Sequence, residues 1–226
     1  SLTYEMRGVI NHTSPNDLFT QLKDGIGACN CHAAHINVVM PLLYAGRQHR
    51  RNTRENLTCG SALRELDSVN RMKSFITFDA HDPKVQNAIP LHGFETVQPA
   101  YQFIKGLLRN VKDLQIDSKH MMVISPDEGG MGRAIYLANV LGVDMGMFYK
   151  RRDYSRIVNG RNPIVAHEFL GASVEGKDVI IVDDMISSGD SMLDVAKQFK
   201  DRKANRIFAA STFGLFTNGL EKFDEA

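Results

Sequence analysis

The run Val179-Ile180-Ile181-Val182 is closed by two carboxylates, Asp183 and Asp184, and after Met185 and Ile186 by a turn of small residues, Ser187-Ser188-Gly189-Asp190-Ser191. Consecutive apolar side chains suit a strand buried on both faces, which requires helices on each side of a sheet. Met192, Val195, Ala196 and Phe199 follow at helical spacing, so the turn lies between the end of a strand and the start of a helix. The first N–H groups of a helix have no intrahelical partner, and the positive end of the helix dipole faces outward there. Together with the hydroxyls of Ser187, Ser188 and Ser191, these groups can converge on one phosphate. Asp183 and Asp184 would repel that phosphate if they had no other partner, so the ligand must also bring hydroxyls or a metal ion. A phosphorylated pentose with a free diol meets both demands. A nucleoside triphosphatase strand ending in acids is the competing arrangement. It would need a G-x-x-x-x-G-K-[ST] loop, which the chain lacks, and its Gly176-Lys177 pair is followed by Asp178.

Strand and helix signals alternate along the 226 residues, the pattern of an α/β fold with parallel sheets covered by helices. Strands are expected at Ile36–Met40, Phe75–Asp79, Met121–Ser125, Met145–Tyr149, Val179–Asp183 and Ile207–Ser211. Helices are expected at Asp17–Ala28, Cys59–Val69, Ala100–Asn110, Met131–Leu141, Ser191–Lys203 and Gly219–Glu225, the one at Ala100 following Pro99. Polar and turn-forming residues near Leu91 to Pro99 mark the domain boundary, giving domains of residues 1–95 and 96–226, each with its own small sheet. No internal repeat or low-complexity tract stands out. The chain opens on Ser1 without a start methionine and closes inside a helix-like pattern, so a piece of a longer protein is expected.

A formal net charge of +1 argues against a general nucleic-acid footprint, and the basic clusters Arg47–Arg54 and Lys150–Arg156 suit small anions better than a polymer. Cys29, Cys31 and Cys59 are an odd set without C-x-x-C spacing, and no secretory signal precedes them, which points to a reducing cytoplasm. Cys29, Cys31, His32 and His35 resemble a metal site only superficially, because a second ligand cluster is lacking. No apolar run approaches the ~20 residues that cross a bilayer, so no membrane partner is expected.

Ser125-Pro126-Asp127-Glu128-Gly129-Gly130 repeats the logic of strand end, acid, glycine turn and helix. Gly129 and Gly130 permit close backbone approach to a phosphate, and Asp127 is placed to hold a magnesium ion bridging phosphates. His81 ends another strand and is flanked by Asp79 and Asp82, which can orient its ring as a metal ligand or phosphate contact. Arg47, Arg50, Arg51 and Arg54 are either a solvated loop or a clamp on a triphosphate, with Gln48 placed to read an adenine edge. Lys150 and Arg152 leave a strand and open a stretch up to about Lys177 with little periodicity. Structureless stretches longer than ~15 residues in a compact domain are usually lids or disordered, and cations at a lid's root can neutralise charge in a transition state.

On Arg47-Gln48, Asp79-Ala80-His81, Ser125 to Gly130, Lys150-Arg151-Arg152 and Val182 to Gly189, the chain resembles the ribose-phosphate pyrophosphokinases over nearly its whole length. The resemblance implies two phosphoribosyltransferase-like domains, each a mainly parallel sheet flanked by helices. It implies transfer of the diphosphoryl group of ATP to the anomeric hydroxyl of ribose 5-phosphate, giving phosphoribosyl pyrophosphate and AMP. It also implies roles: Arg47, Gln48 and His81 for ATP, His81 and Asp127 for Mg2+, Gly129 and Gly130 for a phosphate loop, and Lys150 and Arg152 as catalytic lid cations. Asp183 and Asp184 would take the ribose hydroxyls, and Ser187, Ser188, Gly189, Asp190 and Ser191 would cradle the 5-phosphate. A homo-oligomer, dimer or hexamer, with its ATP site completed at a subunit interface and controlled by phosphate and ADP, follows from the same resemblance.

Four features depart from the family's pattern. His49 stands where an acid is usual, Ser187 where many members carry Asp, Asp190 where a small residue is usual, and the lid segment is longer. They mark a divergent branch. The alternatives are a type I phosphoribosyltransferase of nucleotide salvage, which shares the acid-pair loop but usually has one domain with a base-binding hood, and a non-catalytic, synthetase-associated subunit. The second should have lost acids or lid cations, yet Asp127, Lys150, Arg152, Asp183 and Asp184 are present.

Overall fold

A computed structural model of the chain describes residues 14–29, 32–51, 53–69, 72–152 and 164–224, the side chains of residues 150–152 and 164–167 excepted. The chain divides into two compact units, Ser1–Val97 and Gln98–Ala226.

In the first unit, α1 (Pro15–Cys29), β1 (Ile36–Val39), α2 (Thr58–Asp67), β2 (Met72–Phe78) and β3 (Gly93–Val97) form a three-stranded sheet of order β1-β2-β3 with helices packed on it. Both strand pairs are parallel. Phe19 and Ile26 of α1, Leu63 and Leu66 of α2, and Val38, Met72 and Phe75 of the sheet share one buried cluster, with Val85 and Ile89 from a 3-10 turn at Pro83–Ala88. Within the stretch Leu91 to Pro99, Gly93–Val97 forms a strand that pairs with β2 from Ser74↔Gly93 to Phe78↔Val97. Burial alternates along it, with Phe94 and Thr96 half-buried between exposed neighbours, and so short an edge strand leaves a weak apolar signature among turn formers.

The second unit contains α3 (Ala100–Asn110), β4 (Met121–Ser125), α4 (Met131–Leu141), β5 (Asp144–Arg152), β6 (Ile164–Leu170), β7 (Asp178–Ile186), α5 (Asp190–Asp201), β8 (Ile207–Gly214) and the short α6 (Glu221–Asp224). The sheet order is β6-β5-β4-β7-β8, parallel except for β6. Side chains of β4 and β7 alternate between two cores. Met121, Val123, Ile180 and Val182 join α4 and α3, whereas Met122, Ile124, Val179 and Ile181 join α5 through Met192, Val195 and Phe199. This is why the apolar run at residue 179 is continuous rather than alternating: both faces of the strand are covered. Each such side chain contributes roughly 1.5–3 kcal/mol relative to exposure.

Two expectations need correction here. The stretch from Lys150 to Lys177 is not structureless, because β5 runs on to Arg152 and β6 returns antiparallel beside it, Met147↔Leu170 through Arg152↔Ile164. Residues 153–163, where the lid is expected, lie outside the described residues. The closing helix is also shorter than expected, covering Glu221–Asp224.

At the amino edge of this sheet, the carboxylate of Asp178 (4 % exposed) accepts hydrogen bonds from Arg206 Nε at 3.0 Å, Arg206 Nη2 at 2.5 Å and Asn205 Nδ2 at 2.8 Å. Arg206 Nη1 also donates to Lys112 O at 3.0 Å, so one guanidinium ties β7, β8 and the loop after α3 together. Replacing Arg206 by methionine takes the guanidinium from the buried carboxylate and leaves it Asn205 as a side-chain donor. Urea unfolding should show a lower midpoint than for the native protein.

Candidate functional site

β4 leads through α4 to β5 on one side, while β7, its neighbour on the other side, leads through α5 to β8. The connections thus diverge between β4 and β7. The carboxyl ends of β4 and β7 flank the crevice where such sheets bind ligands, and the loops at residues 126–130 and 187–189 rise from them. The two strand-end motifs read from the sequence come together there because β4 and β7 pair directly, Met121↔Asp178 to Ile124↔Ile181.

The acid pair sits inside β7 rather than at its end, since the strand continues to Ile186 and pairs with β8 as far as Gly214. Asp184 is 4 % exposed and the Asp183 side chain 25 %. The Asp184 N–H donates to Asp183 Oδ1 at 2.9 Å. Burial, then repulsion from Asp184, pushes the Asp183 carboxyl up to about 7, against a smaller pull from Arg133. Arg133 Nη1 stands 3.8 Å from Asp183 Oδ1 with its side chain 8 % exposed. The sequence assigned Arg133 no role. The available signal was its place in the first turn of α4, directly behind the glycine turn.

The loop beyond the acids carries exposed Ser187 and Ser191, half-buried Ser188 and buried Gly189. Gly189 precedes α5 with φ 85°, a left-handed conformation natural only to glycine. Asp190 begins α5, and its carboxylate receives Lys222 Nζ at 2.8 Å, a partner invisible to sequence spacing.

The second loop is organised by its own side chains. Asp127 Oδ1 accepts the N–H groups of Gly129 at 2.9 Å and Gly130 at 3.2 Å, so these amides are engaged by the acid placed beside them in sequence. The Ser125 hydroxyl, fully buried, donates to Asp127 O at 2.6 Å. Glycine is required at 130 for packing, because a Cβ there would stand 2.8 Å from Ser125 Oγ. Lys150 and Arg152 are the closing residues of β5, and β5 runs parallel to β4, so their backbone lies at the same sheet edge. Their side chains lie outside the described residues.

In the first unit, the turn after β2 holds Asp79 at φ 44°, with its N–H bonded to Val97 O at 3.0 Å. Asp82 caps the 3-10 turn by accepting from Lys84 N–H at 2.9 Å. The basic loop reaches this turn through His49, whose Nε2 is 3.6 Å from Asp82 Oδ2 and whose ring lies 5.2 Å from that of His81. Arg47 and Gln48 are exposed beside it. The unusual His49 thus faces an acid of the neighbouring turn. Among the described residues no group of three or more His, Cys, Asp or Glu side chains is arranged to hold a metal ion. Cys59 is buried, and burial pushes its thiol up to about 11, whereas Cys31 lies outside the described residues. No described helix is long and apolar enough to cross a membrane.

A mainly parallel sheet with an acid pair and a hydroxyl-lined helix start at its switch point defines an α/β protein of the kind that binds ligands in this crevice. The sequence model of the phosphoribosyl transferase domain matches residues 94–222, more than half of the chain, and the chain belongs to that family. It is 29% identical over 191 residues to the ribose-phosphate pyrophosphokinase of Ureaplasma parvum, covering 84% of this chain and 54% of that one. It is 32% identical over 193 residues to the enzyme of the same name from Pasteurella multocida, covering 84% and 57%. The fold is similar to that of phosphoribosylpyrophosphate synthetase from Mycobacterium smegmatis, with TM-score 0.75 and 21% identity over 90% of this chain and 63% of that one. This chain spans little more than half the length of those pyrophosphokinases.

Asp183→Asn removes the repulsion inside the acid pair. A raised carboxyl favours the folded state when protonated, and that stability is lost as pH rises through about 7. The variant should therefore melt above the native protein at pH 8, and the gap should narrow as pH falls toward 4, as followed by thermal unfolding.

Proposed function

We propose that the chain is the core of a ribose-phosphate diphosphokinase that transfers the diphosphoryl group of ATP to the anomeric hydroxyl of ribose 5-phosphate, giving phosphoribosyl pyrophosphate and AMP. The observation that carries this is the acid pair Asp183–Asp184 opening onto a serine-lined loop at the start of α5, in the crevice between β4 and β7. Ionised acids accept hydrogen bonds from the two ring hydroxyls of the pentose. Ser187, Ser188, Ser191 and the N–H groups at the helix start take the 5-phosphate, with Gly189 supplying the turn. ATP is assigned to the first unit, on Arg47, Gln48 and His81, with His49 as their neighbour.

In the reaction the anomeric oxygen attacks the β-phosphorus, the bond to the α-phosphate oxygen breaks, and AMP leaves. Little covalent work falls to the protein, so positioning and cations carry the catalysis. Lys150 and Arg152 are assigned to the charge that builds on the phosphoryl oxygens. Arg133 holds part of the acid pair's charge and keeps it aligned.

The donor set fits magnesium. A carboxylate and an imidazole suit an ion that keeps its waters and is held mostly by substrate phosphates. Asp127 in the second unit and His81 in the first are each suited to such an ion, which would neutralise phosphate charge. The retained free cysteines Cys29 and Cys59 favour a reducing, cytoplasmic setting. Exposed Tyr101 and Leu108 on α3, and Ile135, Tyr136 and Val140 on α4, favour a homo-oligomer, dimer or hexamer, with the ATP site completed at a subunit interface.

AMP release from ATP, assayed with and without ribose 5-phosphate, tests this reading. Release should depend on the sugar, and Lys150→Ala should lower kcat by roughly 100- to 1,000-fold, the scale of one well-placed electrostatic donor. Sugar-independent release, or nucleotide formation from phosphoribosyl pyrophosphate and a nucleobase with no ATP reaction, would replace it with the phosphoribosyltransferase alternative.

A further inference from the structure

The loop between β7 and α5 is held from one side by the chain that follows β8. The Leu215 N–H donates to Ile186 O at 2.8 Å and the Thr217 N–H to Ser187 O at 3.0 Å. The Phe223 ring lies against Gly189 and would collide with any side chain there. Phe223 meets Phe216 edge-on, centroids 5.5 Å apart, and both rings pack on the core beneath α5. On this platform Lys222 Nζ reaches Asp190 Oδ1 at 2.8 Å.

The ionic contact has the sharper consequence. Asp190 is the first residue of α5, so its carboxylate stands beside the N–H groups that an anion would use. An uncompensated acid there repels a phosphate dianion. The hydrogen bond from Lys222 holds the Asp190 carboxyl below its usual range, and the same bond raises Lys222, so the two form a charge-neutral unit at neutral pH. Their side chains are 56 % and 52 % exposed, and an ion pair so exposed adds little to folding stability. Its effect falls on whatever anion the neighbouring loop holds.

Building on the assignment of this loop to the 5-phosphate, we propose that Lys222 and Asp190 are positioning residues of the phosphate loop. Lys222, carried on the Phe223 platform, cancels the charge of Asp190 so that the loop accepts a dianion, and neither side chain touches the ligand. The acid that departs from the family's pattern and the lysine that answers it are then one device, separated by 32 positions in sequence.

Calorimetric titration of inorganic phosphate and of ribose 5-phosphate, at low and high ionic strength, tests this on the native chain, Lys222→Ala, Asp190→Ser and the double variant. Lys222→Ala should weaken both ligands by roughly three- to tenfold, as expected for a unit charge exposed a few ångströms away, with the loss shrinking at high ionic strength. The double variant should regain most of that affinity, and melting temperatures should stay with the native protein. Native affinity in Lys222→Ala overturns the proposal. So does a double variant as weak as Lys222→Ala, which would make Lys222 a direct phosphate ligand. A native protein that binds phosphate but not ribose 5-phosphate defeats the sugar assignment while the phosphate arm still decides the ion pair; binding of neither defeats both.

Discussion

The parallel pairing of β4 with β7 is the constraint on which the second unit depends. Both strands are buried on both faces, and their alternating side chains feed two separate cores, one under α3 and α4 and one under α5. Because helices leave the two strands in opposite directions, the loops after them cannot pack over the crevice between. The fold therefore leaves an opening at one place and delivers two polar loops to it. Everything chemical in this unit follows from that opening.

Electrostatics inside the opening are arranged in opposed pairs. Asp183 and Asp184 raise each other's energy, and Arg133 offsets part of it. Asp127 is satisfied by the amides of its own glycine turn, and Asp190 by Lys222 from the far end of the unit. A site for a phosphorylated, hydroxyl-rich ligand has to hold acids for the hydroxyls and electropositive groups for the phosphate within a few ångströms. Local compensation of each acid lets both coexist. The first unit shows the same economy on a smaller scale, with His49 facing Asp82 and its ring tilted against that of His81.

Much of this was readable from residue order. Helices at Ala100–Asn110 and Met131–Leu141 and the strand at Met121–Ser125 fall where their periodicities place them, because amphipathic stripes and continuous apolar runs are direct records of burial. The edge strands β3 and β6 were not readable. Gly93–Val97 reads as turn-like, and Ile164–Leu170 lies behind a basic stretch with no period, because an edge strand is half exposed and leaves a weak apolar signature. The extension of β7 through its acids to Ile186 was also missed. A polar residue at a strand end looks like a terminus in sequence, whereas backbone pairing with β8 carries the strand past it.

By itself the sequence determined the α/β class and the order of the main elements, since each is a local matter of spacing, size and charge. Only the tertiary structure decided which residues meet. Strand pairing brought the loops at Asp127 and Ser187 to one crevice, set the Arg133 guanidinium beside Asp183, and carried Lys222 across 32 positions to Asp190. Such neighbours are chosen by sheet order and chain return, which no short window of residues encodes, because the contacts form between segments that are far apart along the chain.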